Sequence, residues 1–168
     1  MKKYSVNAQG HLEFAGIDTV ELAEKYGTPL YVMDEDAIRK NCRLYTRTMQ
    51  ENMERAMALY ASKALACRAM YEIITEEGMG ADVVSAGELN MAIESGVPRE
   101  RIFFHGNSKP EAEIRFAIEK GVGYFVVDSE DELEFLNQVA GEMGIIQKIL
   151  LRLTPGIDTH TFEAVRTG

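Results

Sequence analysis

Five short apolar segments, each followed by a stretch with helical periodicity, set the strongest limit on what this chain can fold into. The segments are AMALYA, ADVV, IFFH, YFVVD and KILLRL, all between Ala56 and Leu153. Helical patterns of about ten to fifteen residues lie between successive segments. Such alternation is typical of parallel strands joined by crossover helices. We therefore predict an α/β fold with a parallel sheet of five strands.

Two topologies satisfy this alternation. One is a (β/α)8 barrel, which needs about 250 residues. The chain has 168 residues, so a barrel reading makes it a fragment with about five of the eight strands. The other is a five-stranded, doubly wound sheet of the flavodoxin type. Periodicity alone allows both.

The residues before the apolar segments predict a different kind of structure. YSVNAQGHLEFAG alternates around a turn at 7–10, which indicates a hairpin, and Asp18 is placed to cap the helix that follows. TPLYVMD is expected to form a short strand. Asp34 is then the expected N-cap of an amphipathic helix over 35–55.

Three strand ends carry a serine three residues before a glutamate, which is the spacing of a capping box. The pairs are Ser85 and Glu88, Ser108 and Glu111, and Ser129 and Glu132. Each following helix is expected to end near a glycine, at Gly96, Gly121, and Gly141 or Gly144.

Lys63 follows the first apolar segment, where this capping pattern fails. Leu65 stands three residues after Ser62 in place of a glutamate. A helix starting there would hold the lysine at its positive end, which is unfavourable. The carboxyl ends of parallel strands are also where such folds place their chemistry, and a desolvated lysine can attack a carbonyl to form a Schiff base. Lys63 is therefore a candidate functional residue, although a surface lysine with its amine in water is the alternative.

Composition excludes several classes of function. The formal charge of −9, from 18 basic and 27 acidic residues, argues against nucleic acid as a partner. No apolar run approaches the roughly 18 residues that span a bilayer, so we expect no membrane segment.

The N-terminus has no signal peptide pattern, and Cys42 and Cys67 form no CxxC pair, which favours the cytoplasm. The scattered histidines predict no metal site.

Several motifs, in order and in register, resemble one family. YASKALA, GMGADVVSAGEL, HGNSKPEAEI, VVDSEDEL and LRLTPGIDTHTFEAVRTG are similar to segments of fold-type III decarboxylases that use pyridoxal 5'-phosphate, and within them of the diaminopimelate decarboxylases. The resemblance covers almost the whole chain. It implies a partial barrel of the alanine racemase type, in which residues 1–34 contribute to a β domain and residues 35–168 form the first part of the cofactor-binding barrel.

The resemblance also implies roles for four residues. Lys63 would bind the cofactor and later handle the proton at the reacting carbon, and Asp82 would lie near it at the cofactor's edge. His105 would line the cofactor side of the barrel, and Arg152, an arginine within a run of leucines, would lie beneath the cofactor near Asp82. By residue type alone, Asp82 fits a turn and His105 a structural role. The segment HGNSK resembles a family segment that lines the cofactor side, but Asn107 and Lys109 fit turn and surface positions equally well.

The activity implied is decarboxylation of meso-2,6-diaminopimelate to L-lysine and carbon dioxide by a homodimer whose substrate is a small-molecule amino acid. The alternatives are a related decarboxylase of basic amino acids or of carboxynorspermidine, and a pyridoxal phosphate carrier without turnover. In this family the phosphate loop and further substrate residues follow the segment present here. Where the family often has a second histidine after His160, this chain has Phe162, which argues against a direct role for that position.

Overall fold

The computed structural model describes residues 4–153, 155 and 156 of the chain. Two compact units are distinguished, residues 1–43 and 44–168, and the division falls within the helix α2 (Glu35–Asn52). His160 and Phe162 lie outside the described residues. Within the described residues, no helix is both long enough and apolar enough to cross a membrane.

The first unit contains a small antiparallel sheet in the order β1-β2-β3. Its strands are β1 (Tyr4–Val6), β2 (Leu12–Phe14) and β3 (Ile17–Asp18). The β1–β2 turn is closed by Asn7, whose Oδ1 accepts hydrogen bonds from the backbone N–H groups of Gln9 and His11. This confirms the predicted hairpin and the N-terminal β appendage, and it adds a third strand that the sequence pattern did not indicate.

Two helices in this part of the chain begin at the predicted caps. Asp18 accepts a hydrogen bond from the Val20 N–H at the start of α1 (Thr19–Tyr26), and Asp34 accepts one from Ala37 at the start of α2. The predicted strand over TPLYVMD is wrong. In the described part of the first unit no strand pairs with it, and a strand cannot form without a hydrogen-bonding neighbour.

The second unit is built on a five-stranded parallel sheet in the order β4-β5-β6-β7-β8. The strands are β4 (Leu59–Ala61), β5 (Gly80–Val83), β6 (Ile102–Phe104), β7 (Tyr124–Val127) and β8 (Ile149–Leu151). Every apolar segment therefore supplies the predicted strand. Strands that are neighbours in sequence are also neighbours in space, so the sheet has no point where the strand order reverses. This makes the doubly wound alternative wrong, because that fold requires such a point.

Four helices connect the strands and cover one face of the sheet. They are α3 (Arg68–Glu76), α4 (Ala86–Glu94), α5 (Glu111–Glu119) and α6 (Glu130–Glu142). Ala81, Ile102, Phe104 and Phe125 on the covered face are completely buried. On the opposite face the rings of Phe103 and Tyr124 stack with centroids 4.6 Å apart. Crossovers of one hand between adjacent strands keep all helices on one side, as in one arc of a barrel.

The capping boxes are confirmed at two of the three predicted sites. Ser85 and Ser129 cap α4 and α6, each accepting a hydrogen bond from the backbone N–H three residues on. The prediction at Ser108 is wrong, because α5 begins after Pro110 and Ser108 has a left-handed φ of 54°. A residue before proline disfavours helical backbone, so Lys109 cannot begin the helix.

Candidate active site

Five ionisable residues of the second unit lie at the carboxyl ends of the parallel strands, called the sheet edge below. These residues follow or end successive strands: Lys63 after β4, Asp82 in β5, His105 after β6, Asp128 after β7 and Arg152 after β8. The register pairs Ala61 with Asp82 and Asp82 with Phe103, so Asp82 lies on the face that the helices leave open. Sequence analysis predicted four of the five, and the structure adds Asp128.

Lys63 lies in a short 3-10 turn, Ser62–Ala64, directly after β4. The predicted helix start at this point is wrong, because α3 begins only at Arg68 and the residues between are extended. Lys63 is exposed, and among the described residues it has no hydrogen-bonding or ion-pair partner. The described residues therefore do not desolvate the amine of Lys63, which differs from the expectation. The amine is free to react.

Two buried hydroxyl groups are associated with this turn. Ser62 and Tyr71 are completely buried, and neither side-chain oxygen has a hydrogen-bonding partner among the described residues. Burial raises the pKa of Tyr71, while the nearby Ser62 hydroxyl acts in the opposite direction. Tyr71 therefore stays neutral.

Asp82 and His105 are neighbours at the sheet edge. His105 Nδ1 lies 3.5 Å from Asp82 Oδ1, which is too long for a strong hydrogen bond. Asp82 Oδ1 and His105 Nε2 are both buried without a partner among the described residues. Unsatisfied buried polar atoms cost free energy, and they mark a place where a ligand would supply the missing bonds.

Arg152 lies at the sheet edge directly after β8. Its Nη1 donates to Asp128 Oδ1 at 2.7 Å and lies 3.5 Å from Asn107 Oδ1. We expected Arg152 near Asp82, but its ion pair is with Asp128, and β8 lies three strands along the sheet from β5. The expectation that an arginine among leucines finds an anionic or hydrogen-bonding partner is correct, and that partner is Asp128.

Lys109 is buried, which rules out the surface position that its residue type allowed. Only 2% of its side chain is exposed, and its Nζ donates to Glu132 Oε1 at 2.6 Å. The same Nζ donates to the carbonyl oxygens of Gly106 at 2.7 Å and Val126 at 3.0 Å. All three donors of the ammonium group are thus satisfied.

Sequence reasoning could have found Asp128 but not the burial of Lys109. Asp128 stands immediately after an apolar strand, as His105 does, so its position alone predicts a place on the same edge. Lys109 stands between serine and proline in a polar loop, a context that is typical of exposed lysines. Its burial depends on the meeting of two loops that lie far apart in sequence.

Comparison with protein families gives a match over most of the chain. The model of the pyridoxal-binding domain of pyridoxal-dependent decarboxylases matches residues 35–168. Diaminopimelate decarboxylase from Bacillus methanolicus is 47% identical over 163 residues, 97% of this chain and 38% of that protein. The enzyme of the same name from Bacillus subtilis is 44% identical over 96% of this chain and 37% of its own length. This chain thus spans about 38% of the length of the curated relatives it matches.

Solved structures share the fold of both units. Diaminopimelate decarboxylase from M. jannaschii, crystallised with L-lysine, matches with a TM-score of 0.83 and 37% identity over 94% of this chain and 37% of that one. A lysine/ornithine decarboxylase from Vibrio vulnificus, crystallised with putrescine, matches with a TM-score of 0.67 and 26% identity over 89% of this chain and 38% of that one.

Proposed function

The chain belongs to the pyridoxal-dependent decarboxylases, and from this premise we propose that the protein converts meso-2,6-diaminopimelate to L-lysine and carbon dioxide. The observation that carries the proposal is the free amine of Lys63, which shares a sheet edge with the unsatisfied atoms of Asp82 and His105. The substrate is suggested by relatives that bear this activity in their names.

The residues of the edge fit pyridoxal phosphate by the chemistry of their groups. Lys63 offers an unpaired primary amine, which is the group that reacts with an aldehyde. Asp82 and His105 offer a buried carboxylate oxygen and a buried ring nitrogen without partners. Arg152 offers a guanidinium group, 27% exposed, whose fixed donors suit an anionic ligand. We propose that these four residues hold the cofactor.

When bound, pyridoxal phosphate supplies an electron sink for the electron pair released as carbon dioxide leaves. The protein itself contributes to the reaction by positioning the reacting groups. Lys63 Nζ holds the cofactor and then delivers a proton to the carbon that lost its carboxylate. Asp82 and His105 orient the ring of the cofactor. The Arg152 guanidinium balances negative charge at the end of the sheet edge nearest β8.

We further propose that residues 1–34 belong to a β domain and residues 35–168 to the barrel. The protein is proposed to act on a small-molecule amino acid substrate as a cytoplasmic homodimer. These statements are supported by the resemblance of the chain's motifs to the family, which covers both segments.

The substrate is tested by measuring carbon dioxide release from a form of the protein that spans the length of its relatives. The substrates are meso-diaminopimelate, L-lysine, L-ornithine and L-arginine, each with added pyridoxal phosphate. We expect release from the first alone, because a site built for a distant amino acid head group, with its carboxylate, rejects analogues that lack it by about 10⁴-fold. Equal or faster release from ornithine or arginine would make the protein a related basic amino acid decarboxylase. Cofactor binding without any release would leave it a non-catalytic carrier.

A further inference from the structure

Lys109 and Glu132 form an ion pair that is almost completely removed from water. Their side chains are 2% and 9% exposed, and Nζ lies 2.6 Å from Oε1. The desolvation of two such charges roughly offsets their attraction, so a buried pair is a weak source of stability. A pair of this kind acts more effectively by fixing the geometry of the groups bonded to it.

The ion pair reaches the first partner of Arg152 through Glu132. While Glu132 Oε1 accepts from Lys109, Glu132 Oε2 accepts from the backbone N–H of Asp128 at 3.2 Å. The carboxylate of Asp128 in turn accepts from Arg152 at 2.7 Å. A continuous line of hydrogen bonds therefore leads from the buried lysine to the guanidinium at the sheet edge.

The ion pair reaches the second partner of Arg152 through Lys109 itself. Its Nζ donates to the carbonyl oxygen of Gly106, the residue before Asn107, and Asn107 Oδ1 lies 3.5 Å from Arg152 Nη1. The third bond of the same ammonium group, to the Val126 carbonyl, fixes it to β7. Both loops that contact Arg152 are thus joined at one buried nitrogen.

The start of α4 shows that a capping box does not need such a lysine. Ser85 accepts from the Glu88 N–H at 3.2 Å, and Glu88 Oε2 accepts from the Val84 N–H at 2.8 Å, as Ser129 and Glu132 do at the start of α6. Glu88 forms no ion pair among the described residues. The lysine is therefore an addition specific to the turn that carries Asp128.

We infer that Lys109 and Glu132 are positioning residues for Arg152, and hence for pyridoxal phosphate. They do not touch the cofactor in this account. They hold Asp128 and Asn107 where both meet the guanidinium group. The inference rests on the proposed cofactor site, and it assigns to the loop lysine a role in cofactor affinity rather than in the reaction.

The test is a double-mutant cycle between Glu132→Gln and Arg152→Ala, read as the equilibrium dissociation constant for pyridoxal phosphate in a form of the protein that spans the length of its relatives. Both oxygens of Glu132 accept hydrogen bonds, whereas glutamine has one acceptor, so one of the two donors loses its partner. We expect Arg152→Ala to raise the dissociation constant in the wild-type background. When Glu132→Gln is also present, Arg152→Ala should raise the dissociation constant by a factor at least about threefold smaller.

The matched control is Glu88→Gln. Glu88 uses a single oxygen as acceptor among the described residues, which glutamine replaces, so Arg152→Ala should weaken binding equally with and without this change. A second cycle with Lys109→Met should show the same coupling as Glu132→Gln. Equal factors in all backgrounds would overturn the inference, and so would an Arg152→Ala variant that binds the cofactor normally. Carbon dioxide release by the wild type is a separate readout, so failure of the proposed function would be seen independently.

Discussion

Lys63 and Lys109 follow strands of the same parallel sheet, yet their surroundings are opposite. Lys63, after β4, is exposed and has no partner among the described residues, whereas Lys109, after β6, is buried and uses all three ammonium donors. A satisfied lysine holds its surroundings together, and an unsatisfied one is available for chemistry. We propose that the two residues divide the structural and the chemical role within one sheet edge.

The largest expected effect is on turnover, from Lys63→Ala. In a form of the protein that spans the length of its relatives, we expect carbon dioxide release to fall by about 10³-fold or more, because the variant loses both the cofactor-binding amine and the proton donor. The free energy of unfolding should change by less than about 0.5 kcal/mol, as for surface substitutions elsewhere. Steady-state kinetics and urea unfolding of the same preparation check both parts. A large loss of stability would remove the contrast with Lys109.

The next effect is on stability, from Lys109→Met. The substitution keeps an unbranched, apolar chain one atom shorter but leaves Glu132 buried without its cation, and we expect a loss of about 3–5 kcal/mol in the free energy of unfolding. Urea unfolding measures it. The double variant Lys109→Met with Glu132→Gln should recover part of the loss, because it removes both charges. A single variant as stable as the wild type would show that the ion pair has no structural role.

A smaller effect distinguishes the two glutamates of the capping boxes. Glu132→Gln should cost about 3 kcal/mol, the lower end of the range for a buried charge left without its counter-ion, because the amide oxygen still accepts one hydrogen bond. Glu88→Gln should cost about 0.5 kcal/mol or less, because its single acceptor role is kept. Thermal unfolding of the two variants side by side makes the comparison. Equal losses would mean that the lysine adds nothing to the turn before α6.

The smallest effect concerns a charged side chain in the first unit, Asp18. Partial burial acts to raise its pKa, but hydrogen bonds from His11, Val20 and Asn7 outweigh this and leave the pKa below the ordinary 3.8. Its contribution to stability is therefore present above about pH 4 and is lost as the pH falls through the lowered pKa. Hydrogen exchange in α1, corrected for intrinsic rates, should show weaker protection under these acidic conditions.

The control for this acid effect is Asp18→Asn. Asparagine also caps helices but does not titrate in this range, so α1 should then keep the same protection on both sides of pH 4. The same acid-dependent loss in this variant would assign the effect to another group.

The sequence predicted the strands, two capping boxes and the edge that carries the candidate site, because each of these depends on neighbours in sequence. Ser85 with Glu88, for example, forms a local hydrogen-bonded unit that spacing reveals. The environments of the two lysines stay open at the level of sequence: Lys63 can be desolvated or exposed, and Lys109 can lie near the cofactor side or on the surface. Whether a lysine is buried depends on loops that meet in space, as 106–109 and 126–132 do around Lys109, and no local pattern records that meeting.

The contrast between the two lysines is tested most directly by chemical trapping. A form of the protein that spans the length of its relatives is incubated with pyridoxal phosphate, reduced with borohydride, digested and mapped by mass spectrometry. We expect the reduced cofactor on the peptide that contains Lys63 and none on Lys109, because only the first amine is free. Labelling of Lys109 in place of Lys63, or a reducible adduct that persists in Lys63→Ala, would contradict the account.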